Sequence, residues 1–349
     1  FGIHDLTGGN VFMLNLLKEN HEELQLHSGE EFLAETINRT KEMLTENTID
    51  LSIEEIRREN DSVYVQVLLK NKAGHKFPTG FPSRRAYLEC LVTNDSDTLF
   101  HSGKNGSSAL VNSDDERFEP HYEIINNENQ VQIYEFVMGD TEGEVTTVLE
   151  KAYIPLKDNR IVPKGFSSSH LNYDTVKVVG QAVKDVDYFS GLGVESIVYA
   201  FPIPKTGNAA KVKVLLHYET APESWLHELF EDAEKDEDIQ RFKNMYYNTD
   251  RTPILITSDS LRLTASSTPE IQKEKYRIYP NPTSGKIYID GVAEDCTYSV
   301  FNTGGLQVKK GFINRGESYI ALNLPSGNYL LVLHLPDGEQ ISHSFILKN

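Results

Sequence analysis

Cysteine is nearly absent from this sequence: Cys90 and Cys296 are the two thiols in 349 residues. Neither lies in a CxxC, so the chain carries no tetrathiolate zinc site, no iron–sulfur cluster and no CxxCH for covalent haem attachment. Cys90 alternates with Leu88 and Val92, which predicts a buried, inward-facing thiol. A disulfide to Cys296 would have to join separate domains. Basic residues are also scarce, with 34 Lys and Arg against 52 Asp and Glu, a net charge of −18. Nucleic acid and anionic membrane surfaces would be repelled, whereas cations and basic partners would not. No apolar run approaches the ~20 residues that span a bilayer, so no membrane span is expected. A basic-then-apolar leader is missing and the first residue is Phe1, so the sequence reads as a mature or cut piece of a longer precursor. Hydrolase signatures are missing too. There is no GxSxG elbow, no phosphate-loop lysine, and His227-Glu228 lacks the second histidine of HExxH.

What is present divides into three parts. Residues 1–48 read as helical. "VFMLNLLKEN" is densely apolar, and Ser28 with Glu31 forms a capping-box pattern ahead of Leu33, Ile37, Thr40 and Leu44 at helical spacing. Two short helices bury little surface alone, so they are expected either to close an upstream domain or to dock on the next one. Residues 49–265 read as β. In "SVYVQVLLKN", Val63, Val65, Val67 and Leu69 share one face, and "RAYLECLVTN", "QVQIYEFVM", "ESIVYAFPIP" and "KVKVLLHYET" repeat the alternation between turn residues. The expected fold is mainly β: an antiparallel β-sandwich with one long inserted helix over 223–247. That helix carries Trp225, Leu229, Ile239, Phe242 and Tyr246 on one face and a solvated acidic run on the other. "TASSTPEIQKEK", residues 264–275, is polar and unpatterned, as a linker is. Residues 276–349 form a final block of short strands and tight turns, a small immunoglobulin-like sandwich.

The stretch with the most chemistry is "GHKFPTGFPSRRA", residues 74–86. Pro78 and Pro82 fix φ near −65° and the glycines allow unusual backbone angles, so the backbone at His75 is held in one orientation. Such rigidity serves a metal or haem ligand, and equally a turn that opens a strand. His75 therefore reads as a hydrogen-bonded turn histidine, a ligand or a base. Arg84 and Arg85 should face opposite sides of the chain, placing one of them to meet a carboxylate. His121, in "FEPHYEI", is a further metal candidate, with pairing to Glu119 at a strand edge as the plain alternative. His217 and His227 fall in strand and helix patterns and read as structural. A non-haem metalloenzyme built on His75 and His121 would need a third ligand that the sequence does not mark.

Two resemblances add to this reading. "YPNPTSGKIYI", "YSVFNTGGLQV", "LPSGNYLLVLHLPDG" and the closing "SFILKN" resemble, in order, the C-terminal sorting domain of type IX secretion substrates in Bacteroidetes. That resemblance implies handling by the type IX machinery and an extracellular or outer-membrane-attached destination. "GHKFPTGFPSRRAYL", "EPHYEI", "VQIYEFVMGD", "LKDNRIVPKGF" and "VLLHYETAPESWLHELF" resemble the C-terminal, haem-poor half of secreted multihaem cytochromes c. "IHDLTGGNVFML" resembles the segment that closes the haem-bearing half of that group. The departure is the missing CxxCH. On this resemblance, haem c would sit on an upstream segment or a partner protein. His4, ahead of the Gly-Gly-Asn helix start, would then be an axial ligand, with His75 and His121 as further ligands and Arg84 or Arg85 reaching a propionate. The implied role is electron transfer or scaffolding rather than catalysis, with a redox protein as partner. The alternative is an exported adhesive or carbohydrate-binding sandwich module.

Overall fold

The computed structural model describes residues 7–59, 62–94, 97–104, 118–203, 210–263, 277–291, 295–303, 306–315, 319–334 and 340–348. His4 and the expected linker at 264–275 lie outside them. The chain falls into two compact units, one of residues 1–164, 178–182 and 193–265, the other of residues 165–177, 183–192 and 266–349.

The first unit begins with helices α1 (Val11–Glu19) and α2 (Glu30–Asn47). Asn10 caps α1, its side chain accepting from Met13 N at 2.9 Å. The cap of α2 differs from expectation. Gly29 occupies that position with no side-chain hydrogen bond, and the carbonyl of Ser28 instead meets His21 Nε2 at 2.6 Å. Strands β1 (Ile49–Glu59), β2 (Ser62–Asn71), β3 (Arg85–Thr93), β4 (Thr98–Ser102), β5 (Ile124–Ile125), β6 (Ile133–Tyr134), β7 (Phe136–Gly139) and β8 (Ile154–Asp158) follow. Beyond the one-turn helix α3 (Tyr173–Val176), which belongs to the second unit, come β9 (Val194–Pro202), β10 (Ala210–Glu219), helices α4 (Glu223–Glu231) and α5 (Glu237–Asn248), and β11 (Ile254–Leu263).

One sheet runs β1-β2-β9-β5 and the other β11-β10-β3-β4, with β6 paired to β3. All named pairings are antiparallel except β5 with β9. The period-two pattern has its expected consequence. Val63, Val65, Val67 and Leu69 are at most 2% exposed and pack in one core with Leu88, Cys90 and Val92 of β3 and Val212, Val214 and Leu216 of β10. The N-terminal helices join that same core through Val11, Ile37 and Leu44. At roughly 1.5–3 kcal/mol for each fully buried aliphatic side chain, this shared apolar interior dominates the unit's stability.

The single helix expected over 223–247 is two helices. Asp236 starts the second, its carboxylate accepting from Asp238 N at 2.9 Å and Ile239 N at 3.2 Å. Leu226 and Phe230 of α4 pack with Tyr246 of α5, and Phe12 of α1 meets Tyr246 edge-on at 5.2 Å.

In the second unit, strands β12 (Arg277–Tyr279), β13 (Lys286–Asp290) and β16 (Tyr319–Ala321) form one sheet. Strands β14 (Cys296–Asn302), β15 (Gln307–Ile313), β17 (Gly327–His334) and β18 (Gln340–Leu347) form the other, in the order β15-β14-β17-β18. Their inward faces meet in a core that includes Ile287, Val300, Leu331, Leu333 and Phe345, an immunoglobulin-like sandwich. Cys90 and Cys296 are both buried free thiols, and burial raises the pKa of each.

Candidate functional site

The chain leaves β2 at Asn71, whose side chain organises the loop that follows. Its Nδ2 donates to the carbonyls of His75 and Ile161, both at 2.9 Å, while its Oδ1 accepts from Ala73 N at 2.8 Å. Phe77 is buried and exchanges both backbone hydrogen bonds with Ile161, at 2.9 and 2.8 Å. Lys76, also buried, reaches Asp158 Oδ2 at 2.8 Å, and Arg160 grips the same carboxylate with two nitrogens at 2.8 and 2.7 Å. Desolvation pulls the Lys76 ammonium below its ordinary pKa, with Asp158 opposing that shift.

His75 stands exposed between these two anchors. Its Nδ1 lies 3.0 Å from the carbonyl oxygen of Lys76. A carbonyl only accepts, so Nδ1 carries the proton and Nε2 keeps its lone pair. A backbone carbonyl on the far ring nitrogen is also the usual support for a metal-bound imidazole.

The two arginines that close the loop take different partners. Arg84 Nη1 donates to Thr79 O at 2.9 Å. Its guanidinium lies against Gly80, where φ is +80° and a Cβ would come within 2.7 Å of Nη1. Gly9 is close as well, since a Cβ there would meet Arg84 Nη1 at 3.4 Å and the Tyr218 hydroxyl at 2.9 Å. That hydroxyl donates to Gly9 O at 2.7 Å. Arg84 Nε is buried, and among the described residues it finds no hydrogen-bond partner. Arg85 differs: its Nε meets Glu219 Oε2 at 2.7 Å, and both side chains are buried. Arg85 thus forms an internal ion pair.

His121 sits in the first unit's interior, in a network that fixes its tautomer. Gln132 Oε1 accepts from Tyr122 N at 2.9 Å, which turns Gln132 Nε2 toward His121 Nδ1 at 2.8 Å. Asn159 Oδ1 accepts from Glu135 N at 3.0 Å, and its Nδ2 serves Ile133 O at 2.8 Å and His121 Nδ1 at 3.3 Å. Both amides are oriented by backbone groups, so Nδ1 accepts and the proton sits on Nε2. Nε2 faces Glu195 Oε1 at 3.7 Å, and the Tyr134 hydroxyl donates to the same oxygen at 3.4 Å. The Nε2 edge of His121 and the Glu195 carboxylate thus face one another in the interior, both buried. The acidic neighbour of His121 is Glu195, while Glu119 accepts from the Tyr122 hydroxyl at 2.8 Å.

Nearby, Lys157 Nζ donates to Glu135 Oε1 at 2.8 Å and Ile133 O at 2.9 Å. It is 2% exposed, and burial lowers its pKa against the pull of Glu135. His217 and His101 share one carboxylate, their Nε2 atoms meeting the two oxygens of Glu89 at 2.7 and 2.8 Å. His217 also stacks on Tyr87 at 5.0 Å. His227 is exposed, 3.5 Å from Glu231 one turn along α4.

Sequence reasoning missed Glu195, Gln132 and Asn159. For Glu195 a signal existed. It falls in register with Ile197, Tyr199 and Phe201 on the inward face of β9, and a carboxylate on a buried face requires partners. Gln132 and Asn159 are neutral amides distant in sequence, and nothing local marks them.

Comparison with known proteins places the C-terminal strands first. Residues 277–348 match the family described as the secretion system C-terminal sorting domain. No curated protein matches the chain. Among solved structures, a penta-heme cytochrome c552 from Thermochromatium tepidum is similar at 17% identity and a TM-score of 0.39, over 64% of this chain and 41% of that one. The BSP domain of a biofilm associated protein is similar at 8% identity and a TM-score of 0.22, over 90% of this chain and 55% of that one. The chain thus spans well under two thirds of either structure, and likenesses this weak carry no argument. Among the described residues, no helix is long and apolar enough to cross a membrane. The terminal block is a type IX sorting domain, and the protein is one exported to the cell surface or the extracellular space of a Bacteroidetes cell.

Proposed function

We propose that this chain is the haem-free scaffold of an exported multihaem cytochrome c-like electron-transfer protein, and that it supplies an axial imidazole from His75. The observation that carries the reading is the state of that ring: exposed, held on a pinned loop, Nδ1 tied to Lys76 O and Nε2 left with its lone pair. The ordered sequence resemblance supports it further. With only Cys90 and Cys296 available, the chain has no CxxCH, so haem c would be attached to an upstream segment or a partner.

Bound haem would supply one-electron redox chemistry, and this chain's residues would position it. His75 Nε2 would donate to iron, with Lys76 O fixing the ring. Arg84 would hold a propionate, since its buried Nε is an N–H that an anionic oxygen would satisfy. His4 is the second axial candidate. The test is the spin state of the haem in the His75→Ala protein, where one low-spin centre is expected to become high-spin.

A further inference from the structure

A cavity of about 720 Å³ opens in the first unit between helix α4, strands β6 and β7, and the segment from Val145 to Lys151. Its size lies within the usual range for small-molecule sites, about 300–1,000 Å³. Phe136 and Met138, two residues apart and so on one face of β7, line it together with Val148 and Trp225. Trp225 is half-buried and braced edge-on by Phe81, ring centroids 5.7 Å apart at 73°. The guanidinium of Arg160 covers one face of Phe136 at 4.7 Å. Both aromatic walls are thus held by neighbours, which leaves little ordering to oppose binding.

The polar groups of the lining decide what such a cavity would admit. At its floor Arg85 is closed on Glu219 at 2.7 Å and Glu135 on Lys157 at 2.8 Å. Arg85, Glu219 and Lys157 are all buried. A charged ligand group brought to that depth would give up its water and find both ion pairs already complete. At the mouth, Lys151, His227, Glu231 and Asp232 are exposed and keep their own hydration. Glu231 faces His227 at 3.5 Å, Asp232 meets Lys235 at 2.5 Å, and Glu228 is engaged within the protein. What the interior offers is therefore apolar contact and neutral hydroxyls. Two of these hydroxyls have partners in the protein: Ser83 Oγ donates to Thr220 O at 2.6 Å, and Thr146 Oγ1 accepts from Val148 N at 3.2 Å. Thr147 and Ser224 supply the others.

We propose that this cavity binds a small uncharged alcohol bearing an aromatic ring, the ring against Trp225, Phe136 and Met138 and the hydroxyl at Thr147 or Ser224. His75 does not line the cavity, and binding there needs no haem.

The chain has a single tryptophan, and it lines the cavity, so its fluorescence reports occupancy directly. The full chain is titrated with 4-phenylcyclohexanol and, separately, with 4-phenylcyclohexylamine and 4-phenylcyclohexanecarboxylate. These keep the two rings and add a positive or a negative charge. The alcohol should produce a saturable change in Trp225 emission that added salt leaves unaltered, because no charge takes part. Both charged compounds should bind at least about tenfold more weakly, as a desolvated charge without a counter-ion requires. Met138→Gln, which sets a polar amide in the apolar wall, should weaken the alcohol by about tenfold and leave the far-ultraviolet spectrum unchanged. Phe136→Leu, an apolar change at the same wall, should weaken it as well. No saturable response to the alcohol, or a charged compound that binds as tightly, would overturn the proposal. So would an alcohol affinity left intact in either variant that keeps the native far-ultraviolet spectrum.

Discussion

His75 and His121 differ in which ring nitrogen the surrounding protein has claimed. At His75 a carbonyl holds the Nδ1 proton and leaves Nε2 as an acceptor; at His121 two amides occupy Nδ1 and leave Nε2 facing Glu195 Oε1 at 3.7 Å. Residue type and local sequence carried the first distinction partway, because the prolines and glycines around His75 imply a rigid turn. They carried nothing of the second, because Gln132, Asn159 and Glu195 reach His121 through the tertiary fold. Tyr218 offers a test at this scale. Burial pushes its phenol up to about 12, and the hydroxyl donates to Gly9 O. An acid whose pKa is raised on folding contributes stability that is complete below its unfolded value near 10 and is lost as pH rises through the folded value. Urea unfolding of the first unit should therefore show stability falling between pH 10 and pH 12, by up to roughly 2 kcal/mol from Tyr218 alone. Tyr218→Phe should cost about 1 kcal/mol at pH 8 through the lost hydrogen bond and flatten the alkaline limb. An unchanged alkaline slope in the variant would contradict this.

At the scale of elements, strand faces were the most legible feature. Alternation in β2 placed Val63, Val65, Val67 and Leu69 inward without help from any partner strand. Helix boundaries were less so. The stretch from Glu231 to Glu237 is rich in residues that tolerate a helix, and this composition hides the break that Asp236 makes by turning its carboxylate onto Asp238 N and Ile239 N. Likewise Ser28 and Glu31 have capping-box spacing, yet Gly29 is the residue at the helix start. Removing the Asp236 cap tests the corrected boundary. Asp236→Ala should destabilise the first unit by about 1 kcal/mol in thermal or urea unfolding, the typical loss for an N-cap. Asp232→Ala, outside that cap, should cost clearly less. Equal losses, or none at Asp236, would restore a continuous helix.

For the whole molecule, destination is better defined than chemistry. The sorting domain accounts for residues 277–348 as a self-contained sandwich with its own core. Its turn and strand motifs were readable because the block is short and each motif is local. The grouping of residues 165–177 and 183–192 apart from the sheets of the first unit had no counterpart in the sequence pattern, which is polar and weakly periodic there. If the terminal block is the export determinant, deleting residues 276–349 should leave the protein in the periplasm. Protease protection and surface labelling of intact cells measure this, and labelling of the truncated form at wild-type levels would refute it. The central claim is that His75 is an iron ligand, and it has a direct readout. In the protein isolated with its haem-bearing segment or partner, absorption and electron paramagnetic resonance spectra are compared for wild type, His75→Ala and His121→Ala. The expected result is one low-spin haem converted to high-spin in His75→Ala and none in His121→Ala. A full complement of low-spin haem in His75→Ala, or conversion in His121→Ala alone, would contradict it.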